Sequence, residues 1–78
     1  MNNIDYALLA GKKLRELINQ NYRSQEDFAF DFGADLRTIS RYINSGINKI
    51  SVIQELAEFF NVDIMHFFSH KDTKTRNV

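Results

Sequence analysis

One stretch of the chain carries charged residues of a single sign. From Leu36 to Lys49 the charged residues are Arg37, Arg41 and Lys49, with no acid among them. Guanidinium and ammonium groups bind phosphate oxygens, and the forked Arg side chain also pairs with the acceptor atoms on the edge of guanine. This segment is therefore chemically suited to nucleic acid, provided that a regular element holds the cations on one surface.

Two short helices joined by a tight turn are predicted to supply that element. The first runs from Ser24 to Phe32 and the second from Leu36 to about Ser45. Asp35 is a cap for the second helix, and Gly33 and Gly46 end the two helices. Residues 27–32 also alternate as a strand does, but the cap and the glycine stop favour a helix. The resulting geometry is that of a helix-turn-helix.

The second of these helices divides into an apolar back and a polar front. Ile39, Tyr42 and Ile43 recur at helical spacing and form the back. The front comprises Leu36, Arg37, Ser40, Arg41 and Asn44. A front of this composition is what a helix needs in order to enter the major groove of DNA.

The other helices carry few residues suited to contact with a ligand, and we expect them to support the helix-turn-helix. A first helix is predicted from about Asp5 to Asn19, with Asn3 or Asp5 as its cap and an apolar stripe that consists of Ala10, Leu14, Leu17 and Ile18. Ser51 and Gln54 form a capping-box pattern that starts a further helix, which ends at Asn61. Asp63 caps a last turn from Ile64 to Phe68.

Length and composition set limits on the function. The chain has 78 residues, a mass of 9.1 kDa and no Cys, which leaves one small core without disulfides. Ten Lys and Arg residues balance ten Asp and Glu residues, so binding to nucleic acid by bulk charge alone is excluded. There is no long apolar run and no basic signal segment. These observations predict a cytoplasmic protein that makes no contact with a membrane.

Taken together, the elements predict an all-α fold, a compact bundle of about five short helices. Residues 1–68 form the helix-turn-helix domain with C-terminal dimerisation helices. Residues 69–78 contain a single apolar residue and are predicted to be a disordered tail.

From residue 11 to residue 68 the chain resembles the lambda-repressor-like (Xre/Cro type) helix-turn-helix family. The resemblance rests on ordered matches over most of the length. They include Gly11-Lys-Lys-Leu-Arg-Glu-Leu17, Ser24-Gln-Glu-Asp-Phe-Ala29, Gly33, Thr38-Ile39-Ser40-Arg41, Gly46 with Ile50-Ser51, Leu56-Ala57-Glu58, and Asn61-Val62 to Phe67-Phe68. The resemblance implies a sequence-specific, repressor-type transcriptional regulator that binds double-stranded DNA.

Site residues are carried over from the family position by position. Leu36 and Arg37 match the start of the recognition helix, where base edges are read, and Arg41 matches a second position that contacts a base or a phosphate. Ser40, on the same front, is added to the base-reading set. Gln25 matches a position that holds a DNA phosphate, and Asn48 and Lys49 match positions that contact the DNA backbone. Arg23 and Ser24, which lie beside Gln25, and Asn44 are added to the backbone set. Asp35 is expected to act as a cap, and Leu36 to touch a thymine methyl group.

One departure from the family concerns a buried ion pair. Family members commonly pair an Arg late in the first helix with a Glu near the end of the recognition helix. The corresponding residues here are Ile18 and Ile43. Because a well-packed apolar pair can equal a buried salt bridge in stability, the joint replacement is consistent with the same fold.

The C-terminal aromatic residues are more numerous than a single short core needs. The Phe residues occur as two pairs, Phe59-Phe60 and Phe67-Phe68. One ring of each pair can pack in the core, and the other can form a two-fold contact between copies. The predicted dimer interface comprises Phe59, Phe60, Ile64, Met65, Phe67 and Phe68. A homodimer implies a palindromic operator. The alternative function is a protein-interaction module on the same fold, antitoxin-like or an adaptor, that uses this aromatic surface.

No catalytic, cofactor or metal site is predicted. There is no Cys nucleophile, no Gly-rich phosphate loop and no defensible triad. His66 and His70 lie four residues apart, but without a third ligand they are interpreted as surface or partly packed side chains. We therefore predict a protein that is not an enzyme and binds no small-molecule ligand. Phe30 faces away from Phe28 and Phe32 and has no role in this interpretation.

Overall fold

The chain forms four α-helices and one short 3₁₀ helix in a computed structural model that describes residues 5–69. The α-helices are α1 (Tyr6–Asn21), α2 (Gln25–Phe32), α3 (Leu36–Ser45) and α4 (Ile50–Phe60). The 3₁₀ helix spans Ile64–Phe68, and no strand occurs within residues 5–69. The predicted all-α bundle of about five short helices is confirmed. His70 and the rest of the predicted tail from residue 70 lie outside the described residues.

Most helix ends follow local caps. The carboxylate of Asp5 accepts hydrogen bonds from the N–H groups of Ala7 at 3.1 Å and Leu8 at 3.2 Å, so Asp5 caps α1. The alternative cap, Asn3, lies outside the described residues. Helix α1 continues to Asn21, two residues beyond its predicted end.

The start of α4 corrects the prediction from the capping box. The helix begins at Ile50, and Lys49 occupies the cap position without a side-chain hydrogen bond. Ser51 therefore lies inside the first turn, where it cannot act as the cap. The start depends on tertiary packing instead, because Ile47 in the preceding loop is buried in the core and its N–H donates to the Ala7 carbonyl of α1 at 2.9 Å.

The core draws apolar residues from every helix. The predicted stripe of α1 is confirmed, since Ala10, Leu14, Leu17 and Ile18 all have at most 5% of their surface exposed. The largest fully buried side chains are Phe28, Phe67, Leu14, Ile18, Ile39, Ile47, Ile53 and Leu56. Ile43, which together with Ile18 stands where related proteins commonly have a buried ion pair, is half-buried and packs against this core.

An aromatic cluster joins α2 to α4. Phe28 is at its centre, with ring centroids 5.3 Å from both Phe32 and Phe60 and 5.6 Å from Phe59. Tyr22 packs edge-on against Phe28 at 5.4 Å. The rings of Phe59 and Phe60 are therefore largely committed to contacts within one chain.

The C-terminal aromatic residues do not form the single surface that the sequence predicted. Phe67 is fully buried, so its assignment to a contact between copies is wrong, because its ring has no exposed atom to offer. Ile64 is half-buried against the core, and Phe68 packs edge-on against Tyr6 with centroids 6.0 Å apart. Among the predicted interface residues of the 3₁₀ helix, Met65 alone is exposed, at 64%.

In the part of the chain that the structure describes, no helix is long and apolar enough to cross a membrane.

Candidate nucleic-acid interface

The amino end of α2 is built by a side-chain cap. The Ser24 hydroxyl oxygen accepts a hydrogen bond from the N–H of Asp27 at 3.0 Å. Ser24 and Arg23 are exposed, and Gln25 is half-buried at the first position of the helix. The positive end of the helix dipole favours a negative group here, and Glu26 and Asp27 in the first turn already supply two carboxylates.

A short turn fixes the angle between α2 and α3. Gly33 ends α2 in the left-handed conformation, with φ of 91°. The N–H groups of Gly33 and Ala34 both donate to the Ala29 carbonyl, at 2.9 and 3.0 Å. With the backbone of the turn held this way, α3 has a defined position relative to the end of α2.

Asp35 begins α3 as a cap, as predicted. Its carboxylate accepts from the N–H of Thr38 at 2.9 Å. Hydrogen bonds from the side chain and backbone of Thr38, and then the charges of Arg37 and Arg41, hold the pKa of Asp35 below its ordinary value. The lowered pKa keeps the carboxylate ionised at neutral pH, where one of its oxygens caps α3.

The front of α3 is accessible along its length. Leu36 (42% exposed), Arg37, Arg41 and Asn44 are exposed, and Ser40 is half-buried. Ile39, on the opposite side, is fully buried, which fixes the rotation of the helix about its axis. The division into back and front that the sequence predicted is thus confirmed by burial.

A concave site lies at the carboxyl end of α3. It has a volume of about 290 Å³ and brings Arg41 together with Asn48 and Lys49. Its apolar wall is formed by Tyr42, Ile47 and Val52. Two cations that are eight residues apart in sequence therefore border one cavity, in which no acid takes part.

Some features of this region have no counterpart in the sequence prediction. Ser45 lines the cavity, and Ile47 is a core residue that positions the loop. On the other side of α2, the Tyr22 hydroxyl donates to Asp31 at 2.7 Å, and this hydrogen bond raises the pKa of Tyr22. An apolar Ile47 between Gly46 and the polar Asn48 is the sequence signal that would have indicated a loop anchored in the core.

The cap at Asp35 leads to a pH-dependent prediction. Because the folded-state pKa is lowered, the stabilisation is complete above the ordinary pKa near 4 and is lost as pH falls through the folded value. Asn also caps helices but does not titrate. We expect the melting temperature of the Asp35→Asn variant to fall less than that of the unsubstituted protein between pH 7 and strongly acid conditions. A difference between the two that stays constant across this range contradicts the assignment.

Groups for holding a metal are missing from the described part of the chain. Among residues 5–69, no cluster of three or more His, Cys, Asp or Glu side chains is arranged to bind a metal ion. His70, the only residue that the sequence analysis considered together with His66 as a metal ligand, lies outside the described residues.

The fold agrees with comparisons to known proteins. A family model described as helix-turn-helix matches residues 13–67. The solution structure of the SOS-response transcriptional repressor LexA from Eubacterium rectale superposes with a TM-score of 0.74. That likeness covers 100% of this chain and 84% of the other at 19% sequence identity, which shows a shared fold. No curated protein sequence matches significantly.

The family match begins within α1, contains α2, the turn and α3 entirely, and ends inside the 3₁₀ helix. It covers well over half of the chain, including every residue of the front of α3 and of the cavity beside it. The chain therefore belongs to the lambda-repressor-like (Xre type) helix-turn-helix family of DNA-binding transcription regulators.

Proposed function

We propose that this protein is a sequence-specific, repressor-type regulator that binds a palindromic operator as a homodimer. The observation that carries the proposal is the front of α3, an exposed surface with two Arg residues and no acid between Leu36 and Lys49. An α-helix of this kind fits the major groove, and its first turn approaches the base edges. Net charge is zero, so affinity must come from this local surface.

Base reading is assigned to the front of α3. Arg37 and Arg41 offer paired donors for guanine, Ser40 offers a hydroxyl group, and Leu36 offers an apolar contact for a thymine methyl group. All four side chains are exposed or half-buried. One oxygen of the Asp35 carboxylate accepts from the N–H of Thr38, and its charge also attracts Arg37 and Arg41.

Contacts to the DNA backbone are assigned to two groups on either side of the reading surface. One group lies at the capped end of α2 and comprises Arg23, Ser24 and Gln25. The other lies at and beyond the end of α3 and comprises Asn44, Asn48 and Lys49. Backbone contacts at both ends fix the register of a helix in the groove without carrying sequence information.

The contact between copies is assigned to a small apolar surface formed by the amino end of α1 and the 3₁₀ helix. Tyr6, Met65 and Phe68 line a shallow groove of about 450 Å³. Tyr6 is 49% exposed and was not among the residues that the sequence suggested. Three side chains supply only part of the roughly 800 Å² that each partner buries in a stable interface. We therefore expect a weak dimer that two adjacent half-sites strengthen.

The dimer assignment predicts the effect of a charge at Met65. The Met65→Glu variant is expected to be a monomer by sedimentation at concentrations where the unsubstituted protein dimerises, because a buried, unpaired carboxylate opposes the contact. Ile50→Glu is the matched control, since Ile50 is also exposed (58%) and apolar but lies at the start of α4. A Met65→Glu protein that still dimerises refutes this interface.

The alternative role, protein interaction through the C-terminal aromatic residues, has less support. Phe67 is buried, and Phe59 and Phe60 pack on Phe28 within the chain. Phe59 keeps 39% of its surface exposed, so only part of the aromatic surface that such a partner requires is accessible.

Selection from a pool of random duplexes tests the proposal. We expect enrichment of sequences with two inverted half-sites whose centres are about 10 bp apart, one turn of B-DNA. Enrichment of single half-sites refutes the dimeric mode but keeps sequence recognition. A pool that remains random refutes the specific regulator itself.

A further inference from the structure

Phe30 is the most exposed large apolar side chain in the described part of the chain. It lies on the outer side of α2 with 89% of its surface accessible. Nothing in the core depends on it, since the aromatic cluster uses Phe28 and Phe32 instead. It also takes no part in the surfaces assigned above to DNA or to the dimer.

The surroundings of Phe30 are acidic. Glu26 and Asp27 lie one helical turn before it on the same side of α2. Asp31 follows Phe30 directly, and one of its carboxylate oxygens accepts the hydrogen bond from Tyr22. All three acids are exposed, and α2 has no basic residue. This surface, which we term the acidic α2 face (Glu26, Asp27, Phe30 and Asp31), repels phosphate groups and is therefore unsuited to DNA.

The cavity beside α3 is complementary to this face in both charge and polarity. Arg41 and Lys49 border it, and its wall is apolar, formed by Tyr42, Ile47 and Val52. Its volume is about 290 Å³, and a protein cavity of about 150 Å³ is enough to hold benzene. One phenyl ring therefore fits, with cations placed around it for the neighbouring carboxylates.

We propose that the acidic α2 face of one copy docks into the Arg41–Lys49 cavity of a second copy in the absence of DNA. The two surfaces are different, so the contact is head-to-tail and is not the symmetric one assigned to Met65. A pair of copies joined in this way still has one free face and one free cavity, so further copies can add and the assembly grows beyond two chains. The contact covers Arg41 and Lys49, so it also holds the DNA-binding surface in an occupied state that operator DNA must displace.

Sedimentation of the Met65→Glu variant tests this contact without interference from the symmetric dimer. At ionic strength of about 0.01 M, where charges act over ~30 Å, the average mass is expected to rise with protein concentration past that of a dimer. At about 1 M, where the range is ~3 Å, the mass is expected to return to that of a monomer. A mass that stays monomeric at low salt overturns the proposal.

Phe30→Ser in the same background identifies the docking residue. Phe30 is exposed, so folding stability is expected to be unchanged, while the association constant falls at least about tenfold through the loss of an apolar side chain from the cavity. Ile50→Ser is the matched control and is expected to associate as before. Equal association of the Phe30→Ser and Ile50→Ser proteins overturns the assignment of the ring.

A final arm adds duplex DNA to the low-salt assembly. This arm rests on the proposed function, as does the choice of the Met65→Glu background, and DNA is expected to disperse the assembly by occupying Arg41 and Lys49. If the chain binds DNA while the assembly stays intact, the cavity is not the docking site. If it binds no DNA, the proposed function fails, whereas the salt and Phe30 results still decide the self-association.

Discussion

Gly11→Ala is expected to destabilise the protein severely. Gly11 is buried where α1 crosses α3, and a methyl group there would overlap the carbonyl oxygen of Tyr42 and lie 3.2 Å from that of Ile43. Both obstacles are backbone atoms, which no change of rotamer can move. Ala is the better helix former by about 1 kcal/mol, and overpacking costs about 1–3 kcal/mol. With rigid neighbours the clash prevails, and α1 must separate from α3.

The measurement is thermal unfolding by circular dichroism. The upper end of the overpacking cost, set against the gain in helix propensity, leaves a net loss of about 2 kcal/mol. A loss of this size lowers the melting temperature by roughly 8–16 °C in a domain of this size. Gln20→Ala, on the exposed side of the same helix, is the matched control and is expected to change stability by less than about 0.5 kcal/mol. A Gly11→Ala protein as stable as this control would show that α1 and α3 are not in the close contact described.

Arg37→Ala is expected to relax operator preference. Arg37 is exposed on the first turn of α3 and does not line the cavity, so its substitution should leave the fold intact. If it pairs with a base, its loss costs about 1–3 kcal/mol on the selected operator and little on a scrambled duplex. Competition binding with single-base-pair operator variants measures this. One position is expected to lose its discrimination between bases.

Lys49→Ala is the variant against which the Arg37→Ala result is compared. A cation that contacts phosphate weakens all sequences evenly, and its removal reduces the slope of log K against log salt by about 1. The two variants are thus expected to differ in kind as well as in size. If both weaken the operator and the scrambled duplex equally, the division between base reading and backbone contact is incorrect.

The helices of the recognition unit were predictable because their signals are local. Ser24 and Asp35 each satisfy an N–H three residues ahead, and Gly33 ends α2 in the left-handed conformation that L side chains avoid. These interactions depend only on neighbouring residues, so the sequence contains them in full. The same holds for the front of α3, whose exposure follows from the burial of Ile39.

Features that depend on distant residues were not predictable. Gly46 has φ of 102° and ψ of 167°, a region that only Gly enters readily, and a Cβ atom there would lie 2.8 Å from the Ala7 carbonyl carbon. The close contact between Gly46 and Ala7 positions Ile47 and hence the start of α4. The helix therefore begins at Ile50, before the capping box that the sequence predicted at Ser51. No local pattern encodes a contact between residues so far apart in the chain.

The distribution of the aromatic residues was misjudged for the same reason. Sequence spacing groups Phe59 and Phe60 with Phe67 and Phe68, but packing against α2 separates them. Phe59 and Phe60 join the cluster around Phe28, whereas Phe68 meets Tyr6 at the other end of α1. Tyr6 became a candidate for the dimer contact only because its partner in the fold is Phe68.

Net neutrality takes on a specific meaning once the charges are placed in the fold. The cations Arg41 and Lys49 border one cavity, and three acids lie on the outer face of α2. A chain of zero net charge therefore has a surface suited to phosphate and another suited to its own cavity. Weak non-specific binding and a strong dependence on correct docking follow from this arrangement.

Salt-dependent titration of two duplexes tests the central claim most directly. One duplex carries the operator selected from random sequences, and the other carries the same base pairs in scrambled order. We predict that the operator is bound at least about a thousandfold more tightly at physiological salt, and that added salt weakens binding to both duplexes. Equal affinities for the two duplexes at every salt concentration, or no binding to either, would contradict the assignment of α3 as a reader of DNA sequence.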